Sequence, residues 1–174
     1  MKQFEPIWVA LSPIEMELAY ELGKEVIETE MKNNHTGNNK TSKFAGFVTQ
    51  VAAMKHLSAV NVDDYEYDLE WRGKRIEVKT KIRGVLPEPH YAGCVYATNA
   101  DQLCDVYLFG QVMKRPDNPK KLVHGAYLCG WIDRGRYNET FYQVKRGDLD
   151  GKYEEAADAF KIEYRDLRPI SELK

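Results

Sequence analysis

At 174 residues the chain has room for one domain with a substantial core and too little for two. An apolar fraction of 43% and a charged fraction of 30% exclude disordered and fibrous classes. A net charge of −2 excludes a globally basic nucleic-acid binder, so any such partner has to be met by a local patch. No apolar run approaches the roughly 18 residues that span a bilayer, and the opening MKQFEPIWVALSPIE meets glutamate and proline too early for a secretory segment. No membrane partner and a cytoplasmic location are the expectation. Cys94, Cys104 and Cys129 are odd in number and match no zinc spacing, which points to reduced thiols, with buried structural cysteine the plainer alternative to a catalytic thiol.

Ser12-Pro13-Ile14-Glu15 reads as a helix start with a capping box, and Ile14, Leu18, Leu22 and Val26 follow at helical spacing. The many glutamates between residues 12 and 31 suit a solvated helix face. Residues 33 to 42 carry turn formers without periodicity and predict a mobile loop. A second helix is predicted over 43–57, with Phe44, Phe47, Val48, Val51 and Met54 as its buried stripe. From Tyr65 the period becomes two, predicting strands at about 65–70, 74–81, 92–97, 105–113 and 121–131, with a turn over 114–120. Short helices near 137–144 and 154–159, then a short strand and a closing turn over 161–173, complete the chain. The organisation is a single domain over 1–174: N-terminal helices at about 12–57, a sheet core at about 65–131, and short helices and a strand over 134–174. No repeat or linker interrupts it.

The informative segment is Tyr65 to Lys81, two alternating runs joined at Arg72-Gly73. A two-residue turn there sets Glu70 against Arg75, Asp68 against Glu77 and Glu66 against Lys79 on a charged face, with Tyr67, Leu69, Ile76 and Val78 on the apolar one. Directly opposed like charges are destabilising unless something compensates, and a hard divalent cation would do so. The plainer alternative is a solvated hairpin with the two acids splayed apart, and a register slip would also undo the pairing. Acid-x-Lys occurs four times in the chain, but only Glu77-Val78-Lys79 lies on a strand, where residues two apart share a face, beside a second acid.

This acid, hairpin and Glu-x-Lys arrangement resembles the core motif of the PD-(D/E)xK, or restriction-endonuclease-like, nuclease superfamily, in its small phage-type members. The segments from Cys104 to Gly110, Tyr127 to Ile132 and Tyr164 to Ile170 are similar to later parts of such proteins. The resemblance covers about residues 43 to 173 and implies an α/β fold with a mixed central β-sheet flanked by helices. It further implies hydrolysis of phosphodiester bonds, in DNA more than RNA, with Mg²⁺ or Mn²⁺ as cofactor. Asp68 and Glu77 would ligate the metal with the Val78 carbonyl, and Lys79 would position the attacking water and stabilise charge on the phosphate. A homodimer, and the host cytoplasm for a phage-encoded chain, are further implications. Tyr67 replaces the nominal proline, and Gln50 stands where the preceding helix often supplies a glutamate. Gln50 can ligate through its oxygen or hold a water, or it can be an ordinary helix residue. The alternative to an active enzyme is a catalytically impaired nuclease fold kept for binding nucleic acid or protein. Lys43, Lys81, Arg83 and the hairpin-tip Lys114, Arg115, Lys120 and Lys121 are the candidate phosphate contacts, with a solvated surface the plainer alternative. Tyr91, Tyr137 and Trp131 could stack on bases, or simply fill the core.

Overall fold

The computed structural model describes residues 4–32, 39–62, 65–150, 153–155 and 157–173. Strand β1 (Ile7–Ala10) precedes helices α1 (Pro13–Lys32) and α2 (Asn39–Leu57). Strands β2 (Val60–Asn61), β3 (Leu69–Trp71), β4 (Lys74–Arg83), β5 (Ala92–Tyr96), β6 (Val106–Met113) and β7 (Gly125–Asp133) follow. After them come α3 (Arg134–Thr140), β8 (Tyr142–Val144), β9 (Leu149–Asp150), β10 (Tyr153–Glu154) and β11 (Ala159–Glu163). The fold is α/β. Its central sheet has the order β1-β7-β6-β4-β3-β2 and is mixed, because β4 and β6 run parallel while the other neighbours are antiparallel. A smaller sheet, β5-β11-β8, lies apart from it in pairing.

Alternation along the strands builds a core on each face of the central sheet. Ile76, Val78, Val106, Leu108 and Val112 pack with Val48, Val51 and Ala52 of α2. Tyr107, Phe109 and Ile132 pack instead with Val95, Ile162, Tyr137 and Tyr164. In β7 the ladder passes from Leu128, opposite Gly110, to Gly130, opposite Phe109, so Cys129 is one extra residue. The bulge changes the parity: Ala126 and Leu128 precede it on the helix-side core, and Trp131 follows it there. All three cysteines are buried and unbridged, and burial pushes the Cys104 thiol up to about 11 and that of Cys129 to about 12.

The capping box forms, with Ser12 N–H donating to Glu15 Oε2 at 2.7 Å and Glu15 N–H to Ser12 Oγ at 3.3 Å. Of the residues at helical spacing in α1, however, only Leu22 packs against the core. Ile14 is 78% exposed, and Leu18 and Val26 are exposed too, whereas Met16 and Ala19 are buried. Small Ala19 meets an α2 that is itself lined with Ala45 and Ala52, so close helix packing rather than the largest apolar side chains sets the face. Helix α2 begins at Asn39, so residues 39–42 are helical rather than loop; the rest of the predicted loop, 33–38, lies outside the described residues. Strand 65–70 shortens to β3, the last long strand begins at Gly125 rather than 121, and β10 and the start of β11 replace the helix expected over 154–159. The third helix is shifted to Arg134–Thr140, and β1 was not anticipated. No helix among the described residues is long and apolar enough to cross a membrane.

Candidate functional site

The site grows from the place where one ladder stops. Arg72 (φ 49°) and Gly73 (φ 76°) both lie in the left-handed region, as a two-residue hairpin turn matched to strand twist requires. The register is the predicted one for Trp71 with Lys74, Glu70 with Arg75 and Leu69 with Ile76. Beyond Leu69 the pairing ends. Asp68 N–H still donates to the Ile76 carbonyl at 3.0 Å, but the next donor on that edge of β4, the Val78 N–H, is taken at 2.7 Å by the Asp68 carboxylate. A strand residue's N–H and C=O share an edge, so the Val78 carbonyl lies on this side as well.

Asp68 therefore does not oppose Glu77 in a ladder, as the extended hairpin predicted; its side chain replaces the main-chain bond and turns the chain out of the sheet. The other two predicted pairs also re-partner. Glu66 accepts from Leu103 N–H at 2.6 Å instead of facing Lys79. Arg75, though opposite Glu70, gives its guanidinium fork to Asp105 (Nε to Oδ2 at 3.0 Å, Nη2 to Oδ1 at 2.7 Å), which holds the Asp105 carboxyl below its ordinary range.

Glu77 is far from a solvated surface acid, being 5% exposed. Its Oε1 accepts from Lys79 Nζ at 2.5 Å, while Oε2 is buried with no hydrogen-bond partner among the described residues. Burial pushes the Glu77 carboxyl above its ordinary value, and the neighbouring Lys79 charge works against that rise. Lys79 Nζ also donates to Gln102 Oε1 at 3.1 Å, and Gln102 Nε2 donates to the Tyr65 carbonyl at 2.6 Å. Buried Gln102 thus links the lysine to the segment that delivers Asp68. Sequence reasoning missed it, because it sits in the irregular stretch before β6, where no periodicity marks a buried amide.

Gln50 arrives from α2. It is buried, and its Nε2 donates to Asn61 Oδ1 at 2.6 Å, a second partner with no signal in the sequence. The helix can come this close because β6 carries Gly110, where a Cβ would stand 2.3 Å from Thr49 Cγ2. Gln50, Asp68, Glu77, Val78 and Lys79 line one cleft of about 580 Å³, and Lys43 and Lys81 border it. Two carboxylates, a main-chain carbonyl and an amide are an oxygen-rich set suited to a hard cation. Among the described residues no group of three or more His, Cys, Asp and Glu side chains forms, so any cation there would complete its shell with water or substrate.

The remaining candidates lie elsewhere. Arg83 stacks its guanidinium 4.3 Å from the centre of the Tyr91 ring and donates to the Ala92 carbonyl at 3.5 Å. Lys114 sits in a bridge opposite Leu122, and Arg115 pairs with Asp117 at 2.6 Å. Tyr137 and Trp131 are buried in the core. No protein-family description and no curated protein matches the chain.

Proposed function

We propose that this protein is a divalent-metal-dependent nuclease of the restriction-endonuclease-like fold, hydrolysing DNA phosphodiester bonds. The observation that carries the reading is the convergence of Asp68, Glu77, Lys79 and Gln50 on one cleft, with the buried Glu77 Oε2 making no hydrogen bond among the described residues. A buried, unpartnered carboxylate oxygen costs free energy that a cation would recover. The parallel β4–β6 pair beside the antiparallel β3–β4 hairpin, with α2 packed across it, supports the fold assignment.

Asp68, Glu77 and the Val78 carbonyl would hold Mg²⁺ or Mn²⁺, which supplies Lewis-acid polarisation of the phosphoryl group and a more acidic water. The chain's own residues do the rest. Asp68 is oriented by the Val78 N–H, so its carboxylate is preorganised. The Lys79 ammonium, held between Glu77 and Gln102, is positioned to orient the attacking water and to stabilise charge developing on the phosphate. Lys43 and Lys81, bordering the cleft, would neutralise backbone phosphates and make binding weaken with salt.

The test is incubation of purified protein with single-stranded, duplex and branched DNA and with RNA, in Mg²⁺, Mn²⁺ or chelator. Metal-dependent cleavage that disappears in Glu77→Ala and Lys79→Ala is expected; no cleavage of any substrate, or cleavage that both variants retain, overturns the reading. One feature favours a second reading, a binding module on a nuclease fold: an uncharged amide, Gln50, occupies the cleft. In that case nucleic acid binds equally well in chelator and nothing is cut.

A further inference from the structure

A different face of α2 borders a second concavity of about 550 Å³, closed by α1 and by the β6–β7 connection. Its apolar lining comes from Met16, Tyr20, Phe44 and Leu122. The Tyr20 and Phe44 rings meet edge-on, with centroids 6.3 Å apart and planes at 70°, and Tyr20 remains 39% exposed. Such an exposed ring in a hollow offers a π-face to a flat ligand.

Charge is divided between the walls. The β6–β7 connection contributes Arg115, Lys120 and Lys121, and α1 contributes Glu17. Arg115 is engaged by Asp117, whereas Lys120 and Lys121 form no ion pair among the described residues. A ligand matching all three elements has a flat apolar body, an anionic group for the lysines and an N–H donor for Glu17. A fatty acid would supply the anionic group but neither a flat ring for Tyr20 nor a donor for Glu17. A nucleotide satisfies all three, since base amino groups donate to carboxylates.

We propose that this hollow receives one unstacked base of a single-stranded nucleic acid, its phosphate on Lys120 and Lys121 and its ring against Tyr20. The inference rests on the reading of nucleic acid as this protein's substrate and adds that the strand is single where it binds. Phe44 in the hollow and Gln50 in the cleft are separated by about 9 Å of helix rise, with Lys43 near the hollow's end of that span and bordering the cleft. A strand crossing α2 can thus reach both sites.

The test is fluorescence anisotropy in chelator, using a labelled oligodeoxycytidylate of about twelve nucleotides and an abasic oligomer of equal length. The wild-type protein should prefer the base-bearing oligomer. Tyr20→Ala, and independently Tyr20→Leu, which keeps apolar volume, should weaken that binding by about tenfold or more and leave the abasic oligomer unaffected, as loss of one stacking partner predicts. The double variant Lys120→Ala/Lys121→Ala should weaken both and flatten the salt dependence. Equal wild-type affinity for the two oligomers, or insensitivity of the preference to both Tyr20 variants, overturns the proposal. Metal-dependent cleavage accompanied by that insensitivity would remove the base site and leave the nuclease reading standing. Tyr20-dependent binding without cleavage would do the reverse.

Discussion

The two halves of the β3–β4 hairpin have the same alternating sequence and opposite fates. From Leu69 to Ile76 the strands zip through a tight turn and bury Leu69 and Ile76 completely. From Asp68 and Glu77 outward the ladder is gone: one acid has turned its carboxylate onto the neighbouring amide and the other is buried with half its carboxylate unsatisfied. The paired half spends its hydrogen bonds on stability. The unpaired half leaves Asp68, Glu77, Val78 and Lys79 lining a cleft, which is the arrangement the proposed nuclease site needs. A site of this kind arises where regular structure stops, next to the segment rigid enough to hold it.

The largest effect belongs to the unpaired half: Lys79→Ala should lower cleavage by about 10²–10³, and Glu77→Ala should reduce it to background, in single-turnover assays, with the fold retained. Ile76→Ala, one residue away but in the zipped half, should do the opposite kind of damage, costing about 2–5 kcal/mol in denaturant unfolding because a fully buried side chain leaves a cavity. Gln102→Leu should lower kcat by about tenfold to a hundredfold with little change in KM, since the amide orients Lys79 without facing the cleft itself. The smallest effect is at the turn. Arg72→Asn relieves a left-handed residue but loses the guanidinium 4.7 Å above the Trp71 ring, so stability should change by less than about 1 kcal/mol and cleavage not at all.

The pH dependence follows from Glu77, whose folded-state carboxyl is held above its ordinary value of 4.5 by burial. As pH rises, the unfolded chain releases this proton first, so ionisation of Glu77 lowers stability between the unfolded value and the higher folded one, and the cost persists above it. Metal-free protein should therefore gain Tm relative to Glu77→Gln on acidification toward about pH 5. A Tm difference between the two that stays flat with pH would remove burial of Glu77 from the account.

The turn and its register were legible because Arg72-Gly73 falls between alternating runs and the turn length fixes the pairing. The face of α1 was not: hydrophobic spacing favoured Ile14, Leu18 and Val26, but the small Ala19 lets α2 approach closely, and side-chain volume outvoted hydropathy. Site residues on the strand, Glu77 and Lys79, could be read from their shared face. Gln102 and Asn61 could not, since each is marked only by a side-chain contact to another element, Gln102 with Lys79 and Asn61 with Gln50, and by no local pattern. That Asp68 lies near Glu77 was legible, but its contact with the Val78 amide is a product of tertiary structure.

Calorimetric titration of Mn²⁺ into the wild-type protein and into Asp68→Asn at neutral pH reads metal binding at this cleft without requiring cleavage. Binding by the wild type that is lost in Asp68→Asn, and lost likewise in Glu77→Gln, is the predicted result. Unchanged Mn²⁺ affinity in both variants, or no binding by the wild type even with nucleic acid present, would contradict a metal centre at the open end of this hairpin.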